Sequence, residues 1–159
     1  MIDLTSTPII ILVILGSVGV ALPVVSIALK ERPSMISYGI ATLIALFASI
    51  GYVLYQLALD HVAPAAIFSQ DVLVDDAFGA LFAIAMLIVA IFTTVGSFSY
   101  MKNKANPSVY FSLILLSAIG MVLVAYATDL VMLFVAWELM SIPTYILVGF
   151  LKKDPISNE

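Results

Sequence analysis

The residues with most chemical potential lie in one apolar run, Asp129–Leu151, DLVMLFVAWELMSIPTYILVGFL, with Glu138 near its centre. An α-helix rises about 1.5 Å per residue, and about 20 apolar residues cross a bilayer. On that rise Glu138 sits about 13 Å from Asp129 and about 21 Å from Lys152, well inside a hydrocarbon layer about 30 Å thick. A charge at that depth costs at least about 2.5 kcal/mol. Intramembrane acids usually mark ion paths or proton relays, so Glu138 is read as a functional acid of one kind or the other. The structural alternative is a protonated or tied-off acid inside a helix contact. Pro143 follows on the same run and has no N–H to donate. The carbonyl of Leu139 therefore loses its helical partner, which predicts a helix break near the acid. A free carbonyl in the dry zone is tolerated only beside protein or water.

The composition sets the medium. Of 159 residues, 64% are hydrophobic and 10% are charged. Soluble domains carry about 25% charged residues. The fold class is therefore all-α integral membrane, and the lipid bilayer is the first partner. With no cysteine there are no disulfides, no thiolate metal sites and no haem attached through CxxCH. One histidine and no acid cluster leave no metal site. The net charge of −4 comes with no basic patch, which argues against nucleic acid. Phosphate loops, dinucleotide fingerprints, nucleophile elbows and zinc motifs are all missing, so no cofactor is expected in this chain. The start, MIDLTST, has no positive n-region, and the apolar run after it is longer than a signal-peptide core, so it reads as a retained helix.

Five transmembrane helices are expected in one membrane domain, at about 8–29, 36–59, 77–100, 108–127 and 130–151. Thr7 and Pro8 form a cap-then-proline start for the first. Gly16 and Gly19 thin one side of it for ordinary helix packing, and Pro23 predicts a kink. Residues 30–33 make a polar turn, and Ser34 caps the second helix. Tyr52, Tyr55 and Gln56 suit the membrane interface. Between helices two and three, Ala66–Phe68 and Val72–Val74 flank Ser69-Gln70-Asp71 and predict a short β-hairpin. His61 there reads as an interfacial residue rather than a ligand. Asp75 or Asp76 caps helix three. Thr93, Thr94 and Ser97 can bond back to their own helix and need no further role. Asn106-Pro107 repeats the cap-then-proline signature. Thr128 and Asp129 cap helix five, and the very short link before it makes helices four and five antiparallel neighbours.

Charge supplies the topology. The six cations fall in three pairs: Lys30 with Arg32, Lys102 with Lys104, and Lys152 with Lys153. Five crossings put all three pairs on one face. Asp3, Asp60, Asp71, Asp75, Asp76 and Asp129 fall on the other. The positive-inside rule makes the cationic face cytoplasmic, with the N-terminus outside and the C-terminal end inside.

The segment YATDLVMLFVAWELMSIPTYILVGFLKKDPISNE carries a family resemblance. Its D-L start, W-E-L core, S-x-P-x-Y turn and K-D-P-x-S-N-E exit resemble the fifth-helix region of the antiporter-like subunits of respiratory complex I. The match is closest to subunit N. VLVDDAFGALF, running into helix three, resembles the same family, whereas the first two helices are generic. The resemblance implies a proton-translocating membrane subunit of a complex I-like oxidoreductase, of the NADH:quinone or F(420)H(2) dehydrogenase type. Such a chain is part of a translocase, with the redox chemistry in other subunits. The quinone or phenazine used by the complex is not bound by this chain. The partners implied are the other membrane subunits of the assembly, in the plasma membrane of a prokaryote. In that family the acid at the Glu138 position is a key residue of a proton channel, paired with a lysine on a later helix. Family members have more helices than this chain, and no intramembrane lysine is present here. The chain therefore reads as the N-terminal part of a longer subunit, or as half of a split one. Rival readings are a subunit of a multisubunit cation/proton antiporter, a subunit of a membrane-bound hydrogenase, and a structural or assembly protein.

Overall fold

Lipid offers no water to peptide groups, so a spanning segment must satisfy them internally, and a helix does so. The computed structural model describes residues 6–28, 34–59, 72–102, 104 and 106–150. In order, α1 is Thr7–Ala28, α2 is Met35–Ala58, α3 is Ala77–Tyr100, α4 is Pro107–Tyr126 and α5 is Leu130–Val148. All five are long and apolar enough to cross a membrane. The chain is a multi-pass membrane protein.

The bundle is organised on α4, which packs against α1, α2, α3 and α5. In the central window of each helix, 61% of α4 is buried but only 11% of α5. Small and polar residues mediate the contacts, as expected where lipid is as apolar as leucine. Gly19 faces Leu115 of α4, and its carbonyl accepts a hydrogen bond from Ser112 Oγ at 2.5 Å. The small-residue side of α1 is thus its α4 face. Gly39 of α2 lies under the Phe98 ring, which packs at 5.9 Å on Phe111. Thr93, Thr94 and Ser97 donate to the carbonyls of Val89, Ala90 and Thr93 at 2.9, 2.8 and 2.6 Å. These are the back-bonds expected of them. Ser97 also meets the Tyr110 hydroxyl of α4 at 3.2 Å.

The polar ends depart from the sequence reading in detail. Ser34 caps α2, accepting from Ser37 N at 3.4 Å. Of the two candidate caps for α3, Asp76 does the work, accepting from Gly79 N at 2.7 Å. Thr7 is not a cap. It is the first residue of α1, and its N–H donates to Asp75 Oδ2 at 2.9 Å. Asp75 thus takes over an unsatisfied amide at the positive end of α1, where a carboxylate is favoured. Asn106 does not cap through its side chain either. It adopts a left-handed conformation (φ 57°), which asparagine tolerates, and its carbonyl accepts from Tyr110 N at 3.3 Å.

The expected β-hairpin is only partly open to view. Its first arm and turn, with His61, lie outside the described residues. Its second arm does not form a strand: among the described residues there is none. Leu73 instead makes an isolated antiparallel bridge with Ala127, in the link between α4 and α5. Val74 N donates to Tyr126 O at 3.1 Å, and Thr128 N donates to Val72 O at 3.2 Å. One end of the bundle therefore ties α1, α3 and the α4–α5 link together through residues 72–76.

Asp76→Ala should destabilise the bundle by about 1 kcal/mol, the usual effect of losing a side-chain N-cap. Thr93→Ala, which removes an exposed back-bond, should change it by less than about 0.5 kcal/mol. Thermal unfolding in detergent compares the two, and equal midpoints would refute the cap assignment.

Candidate functional site

The helix that carries Glu138 begins without the expected side-chain cap. Asp129 occupies the N-cap position in an extended conformation, and only its backbone carbonyl engages, accepting from Leu133 N at 2.8 Å. The helix ends at Val148 rather than at residue 151. Gly149 N donates to Tyr145 O at 3.2 Å, and Phe150 N donates to Leu147 O at 3.3 Å. This tighter last turn points the Phe150 ring at Tyr110, with centroids 5.3 Å apart. Aromatic packing on α4 closes the helix there.

Pro143 lies inside α5 and is buried, and the helix continues through it. The predicted break is therefore confined to the hydrogen bond that proline cannot make at Leu139. Nearby, two hydroxyls converge on the next carbonyl. Thr144 Oγ1 donates to Met140 O at 2.8 Å, and Ser117 Oγ of α4 donates to the same oxygen at 3.2 Å. The hydroxyls are 3.3 Å apart. One turn along α4, Gly120 lies against the backbone of Leu139 and Met140. A Cβ there would meet Met140 N, would be 2.7 Å from Met140 Cα and 2.9 Å from Leu139 C. The two helices touch backbone to backbone at this level.

Glu138 is near the midpoint of α5 but faces away from the bundle. The α5 residues buried against α4 are Ala136 and Pro143, with Leu139 and Met140 partly buried. At about 100° per residue, Glu138 points roughly 160° from Ala136 and roughly 160° from Met140. Its side chain is exposed on this chain. Beside it is an open hollow of about 300 Å³ lined by Leu130, Leu133, Phe134, Trp137 and Glu138. The described cations, Lys102 and Lys104, lie beyond the end of α3 and outside every described helix. Among the described residues no group of three or more His, Asp or Glu comes together to hold a metal ion. The structure thus presents a carboxyl near the middle of α5, on the face turned from the other described helices.

Sequence reasoning singled out Glu138 and Pro143 but passed over Ser117, Gly120 and Thr144. A signal was available: Ser117 and Gly120 are small residues three apart, which puts them on one face of a helix.

No protein-family model matches the chain. Curated proteins do. NADH-quinone oxidoreductase subunit N 1 of Solibacter usitatus is 32% identical over 92% of this chain and 29% of its own length. NADH-quinone oxidoreductase subunit N of Desulfitobacterium hafniense is 35% identical over 74% of this chain and 23% of its own. F(420)H(2) dehydrogenase subunit N of Methanosarcina mazei is 37% identical over 58% of this chain and 19% of its own. The chain spans less than a third of the length of these relatives. With its five apolar helices and the W-E-L and S-x-P-x-Y residues of α5, the chain is similar to subunit N of the NADH-quinone and F(420)H(2) dehydrogenases.

Proposed function

We propose that this chain belongs to a proton-translocating membrane subunit of a complex I-like oxidoreductase, as its N-terminal part, with Glu138 as the proton-relay acid. The observation that carries the reading is the acid's position. It lies near the middle of a membrane-length helix and turns away from the other described helices. A carboxylate facing hydrocarbon there is costly, so that face calls for protein or water. The partner we assign it is a lysine outside this chain, on a further helix of the same assembly. Movement of that lysine relative to the carboxyl is the gating step we assign. Electron transfer belongs to other subunits, and quinone or phenazine is used there. Replacing Glu138 with Gln in the assembled complex, with pumping followed by a pH dye in proteoliposomes, is the direct test.

The second reading is a subunit of a cation/proton antiporter with no oxidoreductase attached. The names of the relatives favour the first. Co-purification with an iron–sulfur or flavin module is expected, and a stable assembly lacking one would favour the antiporter.

The orientation is part of the proposal. The Lys102 end faces the cytoplasm and the Thr128 end faces outside, because the cations segregate to one face. Both residues are exposed and suit single-cysteine labelling in a chain with no native cysteine. An impermeant maleimide on intact cells should modify Thr128→Cys and spare Lys102→Cys. The reverse pattern would invert the topology.

A further inference from the structure

An acid that relays protons must keep its place while something near it moves. We infer that Ser117, Gly120 and Thr144 are positioning residues for Glu138. They join α5 to α4 as one body, so the acid keeps a fixed depth and bearing and any gating movement belongs to the partner beyond it. This rests on the relay reading of Glu138.

Three observations carry it. First, the two residues after Glu138 are in backbone contact with α4. Gly120 leaves no room for a Cβ against Leu139 and Met140, so the two backbones meet there with no side chain between them. Second, the hydroxyls of Ser117 and Thr144 both donate to Met140 O. Ser117 reaches that carbonyl from α4 and Thr144 from within α5, and the two hydroxyls lie 3.3 Å apart, within hydrogen-bond distance of each other. The three groups form one polar contact between the helices, supplied on the α4 side by Ser117. Third, the tie brackets Pro143. Met140 precedes the proline and Thr144 follows it, and both are held. Pro143 itself is buried in the α4 contact. The hydrogen bond missing at Leu139 would ordinarily invite a hinge. Here both sides of it are anchored to the most buried helix of the bundle.

Rigid positioning and hydrogen-bond chemistry make opposite demands on a cross-link. The chain has no cysteine, so Ser117→Cys with Thr144→Cys introduces its only thiol pair. The native oxygens are 3.3 Å apart, so the two side chains face each other across the contact and a disulfide between them is the natural covalent replacement. The experiment uses the assembled complex. It reads the rate at which a hydrophobic carbodiimide modifies Glu138, by mass spectrometry across pH, together with pumping. The reduced pair should change the labelling rate by about threefold or more, the scale set by losing one interhelical hydrogen bond in a membrane. It should also lower pumping. Oxidation should restore both to wild-type values, because a covalent tie replaces the hydroxyl tie. If the double variant does not assemble, Ser117→Ala should give the same shift in labelling and Ser117→Thr should rescue it. Wild-type labelling in an oxidised complex that does not pump would overturn the proposal, since α5 would then have to move. So would a reduced pair, or a Ser117→Ala complex, that matches wild type in both readouts. Failure of the relay reading looks different. Normal pumping in Glu138→Gln would remove the relay, while the labelling profile would still report whether the tie holds the acid.

Discussion

Glu138→Gln is expected to lower proton translocation by about tenfold or more while the complex assembles as wild type. Gln keeps the size and part of the hydrogen bonding of Glu but cannot carry a proton as a carboxyl does. A positioned proton-transfer group contributes roughly 10²–10⁴-fold to the step it serves, so its loss should dominate the rate. Coupled electron transfer should fall with it. Glu138→Asp shortens the reach by one carbon and should keep partial activity where water spans the gap. Ser141→Ala is the control. Its hydroxyl only bonds back to Trp137 O at 2.7 Å, so its loss should be felt weakly. The packing explanation of Glu138 predicts the reverse, with assembly lost in the Gln variant. Full pumping by an assembled Gln variant, measured in proteoliposomes with a pH dye, would dismiss the relay.

The second large effect is expected at Gly120. A methyl group there would be 2.7 Å from Met140 Cα and 2.9 Å from Leu139 C, and closer still to Met140 N. Backbone cannot step aside as a flexible side chain can. Gly120→Ala must therefore push α5 off α4, at a cost of about 1–3 kcal/mol for overpacking. The damage should be concentrated in α5, because α4 is nearly its whole contact surface. Gly96→Ala is the matched control. It also sits in a helix, but its Cβ would meet nothing within 4 Å. There alanine's better helix propensity should leave stability unchanged or raise it by up to about 1 kcal/mol. Thermal unfolding and protease sensitivity of α5 in detergent would separate them. Equal stability of the two variants would contradict the close approach.

The sequence made the helices legible because lipid permits little else. Five apolar runs separated by polar residues fall at nearly the observed bounds, and Glu138 could be placed at mid-depth by counting along α5. What it could not convey was direction. Along α5 nearly every residue is apolar, so no periodic contrast marks the side that packs on α4. In lipid the inside and outside of a bundle are equally oily, and packing is decided by small residues and hydroxyls. Gly120 and Ser117 were therefore the informative letters. The caps failed for a related reason. Thr7, Asn106 and Asp129 all look like side-chain caps locally, but Thr7 is met by an aspartate 68 positions away. The other two act through backbone carbonyls. Local signatures say where a helix starts, while tertiary contacts decide which atom satisfies it.

The central position of α4 bears on how the protein is made. Segments enter the membrane in chain order, so α1, α2 and α3 are in place before the helix that unites them. Until then α1 has α2 to lean on, and α2 has α3, but the hydroxyl of Ser97 lacks Tyr110 and the Gly19 carbonyl lacks Ser112. These groups wait in lipid for the fourth segment. Its arrival closes the set, and α5 then docks on the surface just formed. On this order α4 is the segment whose arrival satisfies both contacts. A lesion in Ser112 or Tyr110 is therefore expected to act at the step where α4 joins the first three helices.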